Sequence, residues 1–142
     1  MKGYIKVTVL IILFVGLGLL PAMAGELDDF VNNLNIEARA DRDGFRMRLS
    51  TEFGIASQRV GVVIGDVGSP GDAYMCLRVA KVLNMSHERV IAEFRKNKGK
   101  GWGVIAKNLG IKPGSREFHA LKKRGVAGKP NKKTGKGKNK KK

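Results

Sequence analysis

Between residues 69 and 125 the chain announces three helix starts at short intervals, and that spacing restricts it to small helices packed on one another. Ser69-Pro70-Gly71-Asp72 combines an N-cap serine, a proline at the first helical position and an acid in the first turn. Ser86 and Ser115 repeat the cap, with Glu88 and Glu117 in the turns that follow. Asn84, Gly99, Gly110 and Gly125 supply the matching stops. Between these marks the apolar residues recur at helical spacing: Ala73, Cys76, Leu77 and Ala80, then Val90, Ile91 and Phe94, then Trp102, Ile105, Ala106 and Leu109, and finally Phe118 and Leu121.

The preceding segment is less sharply punctuated. Leu27, Phe30, Val31 and Leu34 keep the helical period, and Glu26, Asp28 and Asp29 favour a helix start there. The pattern weakens through Ala38 and Phe45 to Leu49 and Phe53, with Gly44 read as a break between two helices. Arg39, Arg42 and Arg46, interleaved with Asp41 and Asp43, read as a solvated, ion-paired face. Residues 60–67 fit both periods, since Val60, Val62 and Ile64 alternate while Val60, Val63, Ile64 and Val67 repeat helically. With Ser57 placed as an N-cap and no second strand for pairing, the segment is read as helix. The expectation is an all-α fold of about six short helices forming one small domain over residues 25–124.

Both ends differ from this domain. Lys2 and Lys6 precede a 14-residue apolar run from Val7 to Leu20, followed by Pro21 and the small-residue pattern Ala22-Met23-Ala24. The run falls short of the roughly 20 residues that span a bilayer. Residues 1–24 therefore read as a cleaved signal peptide, and the remainder as a periplasmic or secreted bacterial protein with no stable membrane insertion after cleavage. Residues 125–142 hold eight lysines and no acid, which reads as a disordered basic tail.

The charge is unevenly placed. Residues 25–77 carry five arginines against nine acids, whereas residues 78–124 carry thirteen basic side chains against three acids. Such a chain favours an anionic partner. Cys76 is the only cysteine and falls on an apolar helical stripe, so it reads as core rather than as a reactive thiol. His87 and His119, far apart, make no zinc spacing, and Asp41 and Asp43 point to different sides of a helix. No catalytic residue, metal ligand or cofactor is assigned, and the chain is read as a non-enzyme.

The stretch from Gly101 to Ile111 reads like the first half of a helix-turn-helix, but Lys112-Pro113-Gly114-Ser115 lengthens the connection beyond that motif. A helical hairpin used for packing is the simpler reading. Upstream, Lys98-Gly99-Lys100-Gly101 precedes a helix N-terminus of the kind that receives anions. Lys96, Lys98, Lys100, Lys107 and Lys112 are the candidate structured anion contacts, joined by Lys129, Lys132 and Lys133 of the tail. Trp102 is the candidate stacking group for a base or sugar, although its place on the Ile105, Ala106, Leu109 stripe favours a core anchor. The functional expectation is binding of an anionic polymer such as extracellular DNA, lipopolysaccharide or acidic glycan. The alternatives are a protein-interaction or envelope-assembly factor with a protein partner, and a small envelope hydrolase.

The block from Asn97 to Lys107, with its GKGWGVIAK run, and Leu109 to Ser115, LGIKPGS, resembles a set of small exported bacterial proteins of unassigned function that share a glycine- and lysine-rich C-terminal tail. The likeness extends forward from Asp72-Ala73-Tyr74-Met75-Cys76-Leu77 and back through Ala40-Asp41, Gly44-Phe45 and Phe53-Gly54. It implies export, a helical domain and the tail, and it transfers no catalytic residue. N-terminal sequencing of exported protein is expected to begin at Gly25 or within a residue or two of it; a chain retaining Met1 in the inner membrane contradicts the export reading.

Overall fold

The computed structural model describes residues 20–125, which form seven α-helices and no strand. They are α1 (Leu20–Ala40), α2 (Arg42–Phe53), α3 (Ser57–Val67), α4 (Pro70–Leu83), α5 (His87–Lys96), α6 (Trp102–Asn108) and α7 (Arg116–Leu121). The all-α reading holds, with seven helices in place of about six. The apolar run of the expected signal peptide lies almost wholly outside the described residues, as do residues 126–142 of the tail with Lys129, Lys132 and Lys133. Helix α1 begins at Leu20 and runs unbroken past the expected cleavage point. No helix among the described residues is long and apolar enough to cross a membrane.

Helix α4 is the hub, packing on α1, α2, α3, α5 and α7. Its sequence permits this because Gly71, Ala73, Tyr74, Met75, Cys76, Leu77, Val79 and Ala80 are all buried, so its apolar surface wraps most of the circumference. At Gly71 the backbones of α1 and α4 nearly touch. A Cβ there would stand 2.5 Å from the Val31 carbonyl oxygen, and the Gly71 N–H donates to Asn35 Oδ1 at 2.7 Å. Tyr74 is held edge-on between Phe30 and Phe53, with ring centroids 5.7 and 5.5 Å away.

Three of the helix ends share one device. The backbone N–H groups of Ile55, Met85 and Ile111 reach back to the carbonyls of Ser50, Ala80 and Ala106, at 3.2, 2.9 and 2.9 Å. Each follows a residue of positive φ, namely Gly54, Asn84 and Gly110. This is the Schellman closure, with an apolar residue placed just beyond the turn. It satisfies the last carbonyls of α2, α4 and α6 and turns the chain toward the next helix.

The serine caps at Ser69, Ser86 and Ser115 are as expected, accepting from the N–H groups of Asp72, Arg89 and Phe118. Two boundaries are not. The break between α1 and α2 falls at Asp41 rather than Gly44, because the Asp41 carboxylate accepts the Gly44 N–H at 2.9 Å and so caps α2 itself. Ser57 lies inside α3, whose N-cap position is held by Ala56 without a side-chain bond. The expected hairpin of α6 and α7 is also replaced: α6 packs on α1 and α5, while α7 packs on α4.

The chain end is strapped back onto the first two helices. Lys122 pairs with Glu26, Arg124 with Glu37, and the Gly125 N–H donates to Glu52 Oε1 at 3.1 Å. Glu52 also pairs with Arg78 at 3.3 Å, and these two side chains are only 10% and 11% exposed. Replacing Gly71 with alanine is expected to destabilise the fold by about 1–3 kcal/mol despite alanine's higher helix propensity, since backbone on α1 must move. A lower urea midpoint with an unchanged slope would show it.

Candidate functional site

Lys96, Lys98, Lys100, Lys107 and Lys112 are all exposed, and none forms an ion pair among the described residues. The pairing is carried instead by arginines and Lys122. Arg59 meets Glu88 at 2.8 Å, Arg95 meets Asp66 at 3.2 Å, and Arg48 and Arg124 both approach Glu37. Most of these contacts join the acidic front half of the sequence to its basic back half. Part of the bipolar charge of the sequence is thus folded onto itself, through Glu26, Glu37, Glu52 and Asp66, while the lysines from 96 to 112 are left over.

Local electrostatics follows the same pairings. The Lys122 ammonium beside Glu26 holds that carboxyl below its ordinary range. Glu88 is likewise lowered, first by a backbone N–H at the start of α5 and then by His87 and Arg59 beside it. Burial pushes the Cys76 thiol well up, with the Asp72 carboxylate adding to the effect, so this cysteine is an inert part of the core. Burial and then Glu52 raise Tyr74, whose hydroxyl lies 3.2 Å from both Glu52 Oε1 and the Lys123 carbonyl.

The N-terminus of α6, expected to receive an external anion, already holds an internal one. Asp28 Oδ1 on α1 accepts the Trp102 N–H at 2.9 Å across 74 residues of sequence. The indole is engaged as well. Trp102 is 2% exposed, its ring stacks on Phe94 with centroids 5.5 Å apart, and its Nε1–H donates to Asp72 Oδ1 at 2.7 Å. Asp72 Oδ2 in turn accepts the Ser69 hydroxyl at 2.6 Å. Trp102 therefore anchors the core and does not offer its face to a base or sugar.

Beside this cluster runs an open groove that the sequence did not reveal. Its larger part, about 520 Å³, is lined by Asp28, Asn32, Asn35, Asp72, Lys98 and Trp102 among others. A second part of about 280 Å³ shares Asn35 and Ser69 and continues to Arg39, Arg42, Gly68 and Pro70. The helical period explains the lining, because Asp28, Asn32, Asn35 and Arg39 fall on one stripe of α1. Arg39, Arg42 and Arg46 do not form the expected ion-paired face: none pairs with an acid among the described residues, and the Arg46 guanidinium packs by Gly61. Of the candidate lysines, Lys98 alone lines the groove.

Among the described residues no three His, Cys, Asp or Glu side chains gather as metal ligands. His87 touches Glu88 at 2.9 Å at the edge of a different groove of mixed character, lined by Phe53, Ile55, Leu77 and Met85 on one hand and Lys81, Asn84 and Ser86 on the other. No family model, curated protein or solved structure matches the chain. Replacing Trp102 with phenylalanine, which keeps the stack but leaves Asp72 without its indole donor, is expected to cost about 1–3 kcal/mol. Lys98→Gln, at an exposed position, is expected to stay within about 0.5 kcal/mol, and chemical denaturation of the two variants provides the comparison.

Proposed function

We propose that the chain is an exported, non-enzymatic protein that binds anionic polymers, of the class of extracellular DNA, lipopolysaccharide or acidic glycan, through its basic C-terminal half and tail. The observation that carries this reading is the division of labour among the cations. Arg48, Arg59, Arg78, Arg95, Arg124 and Lys122 pair with acids of the fold, while Lys96, Lys98, Lys100, Lys107 and Lys112 stand exposed without carboxylate partners among the described residues. Eight further lysines follow in residues 126–142. Flexible ammonium groups neutralise closely spaced phosphates by releasing condensed counterions, which requires charge but little shape.

A second reading, a protein-interaction or envelope-assembly factor, draws on the groove of about 320 Å³ where Phe53, Ile55 and Met85 stand beside Lys81, Asn84 and Ser86. The two readings differ in their response to salt. On duplex DNA the affinity of the full chain is expected to fall steeply with salt, by about 0.9 log unit per log unit of salt for each phosphate neutralised. Removing residues 126–142 should flatten that slope by several units. Salt-titrated anisotropy with DNA and with an anionic glycan makes the measurement. Absence of binding at low salt, or a slope indifferent to the truncation, sinks the electrostatic reading and leaves the interaction factor.

A further inference from the structure

Three cations from three separate elements meet at the corner where α3 hands over to α4. Arg39 at the end of α1 and Arg42 at the start of α2 line the smaller part of the groove together with Gly68, Ser69 and Pro70. Lys98 reaches the same corner from the α5–α6 connection, its Nζ only 3.8 Å from where a Gly68 Cβ would be. None of the three forms an ion pair among the described residues.

Three acids beside the corner or the adjoining groove accept hydrogen bonds from uncharged donors of the fold. Asp41 folds back onto the Gly44 N–H, Asp28 accepts the Trp102 N–H, and Asp72 accepts the indole and the Ser69 hydroxyl. The N-terminus of α4 is also satisfied from within, through Asn35 Oδ1 on Gly71 and Ser69 Oγ on Asp72. What this corner offers a ligand is therefore side-chain donors. They are two guanidinium forks, one ammonium and the Asn35 Nδ2 amide, which has no acceptor among the described residues.

From this arrangement we infer that the Gly68–Pro70 corner is a binding site for a single phosphate group, held by Arg39, Arg42 and Lys98 with Asn35 as an orienting donor. Guanidinium forks match the edges of a tetrahedral oxyanion with paired hydrogen bonds, and the ammonium adds a point charge. The inference rests on the polyanion reading and sharpens it. The folded domain then contacts the polymer at one defined phosphate, and among the lysines from 96 to 112 only Lys98 belongs to that contact.

The test uses the full-length ¹⁵N-labelled chain, titrated first with inorganic phosphate and then with a short DNA duplex. Phosphate is expected to give saturable shifts centred on Gly68, Ser69 and the Asn35 side-chain amide. The double variant Arg39→Gln/Arg42→Gln and the single variant Lys98→Gln should each weaken phosphate binding at least about tenfold, while Lys107→Gln/Lys112→Gln leaves it within about twofold. Unchanged melting temperatures would show that these exposed substitutions spare the fold. Shifts that never saturate and spread over all lysines, or variants that bind phosphate like the parent, overturn the site. A duplex that binds without moving Gly68 or Ser69 also overturns it, with the electrostatic reading left standing. Saturable phosphate binding at this corner with no duplex binding supports the site and removes DNA as the polymer.

Discussion

Helix α4 can be covered on nearly every side only because α1 lies almost in backbone contact with its first turn. That approach is set at Gly71, where the Val31 carbonyl occupies the space of a side chain and the Asn35 amide accepts the glycine N–H. From this junction the other positions follow. The next residue, Asp72, takes the indole of Trp102 and thereby fixes α6, and Tyr74, two residues on, collects Phe30, Phe53 and the Glu52 carboxylate. A small domain with no disulfide depends on such close packing, because its net stability is a small difference between large terms.

Electrostatics works at two levels in this fold. The Glu52–Arg78 pair is nearly buried and is satisfied further by Tyr74 and Gly125, so removing either partner would strand a charge in low dielectric. The outer pairs, such as Arg59–Glu88 and Arg95–Asp66, are solvent-exposed and contribute little individually. Their larger effect is on the external field. Each cancels a carboxylate charge that would otherwise offset the field of the unpaired lysines.

The sequence exposed what is local and concealed what is distant. Serine caps at 69, 86 and 115 were legible because the cap, the acid and the apolar period all lie within a few residues. Gly44 reads as a break from sequence because a glycine in a weak period looks like a stop. The cue to its true role was Asp41 three residues earlier, whose carboxylate requires a residue without a Cβ above it. Asp28 on the Trp102 N–H and Asp72 on the indole join positions 74 and 30 residues apart, and no spacing rule reports such pairs. The groove was hidden for the same reason. Its stripe of Asp28, Asn32, Asn35 and Arg39 reads as an ordinary wet helix face until the α3–α4 corner and Lys98 are brought across from it.

The strap formed by Lys122, Arg124 and Gly125 has a consequence for the order of assembly. It joins the final residues of the domain to Glu26, Glu37 and Glu52, closing loops of 96, 87 and 73 residues. Loop-closure entropy places such contacts late, after the local helices have formed. A chain emerging N-terminus first from a ribosome or a translocation channel carries Glu26 without its ion-pair partner, and Glu37 and Glu52 with only Arg48 and Arg78, until residues 122 to 125 are delivered. The vectorial appearance of the polypeptide thus separates the time at which these helices can form from the time at which they are locked together.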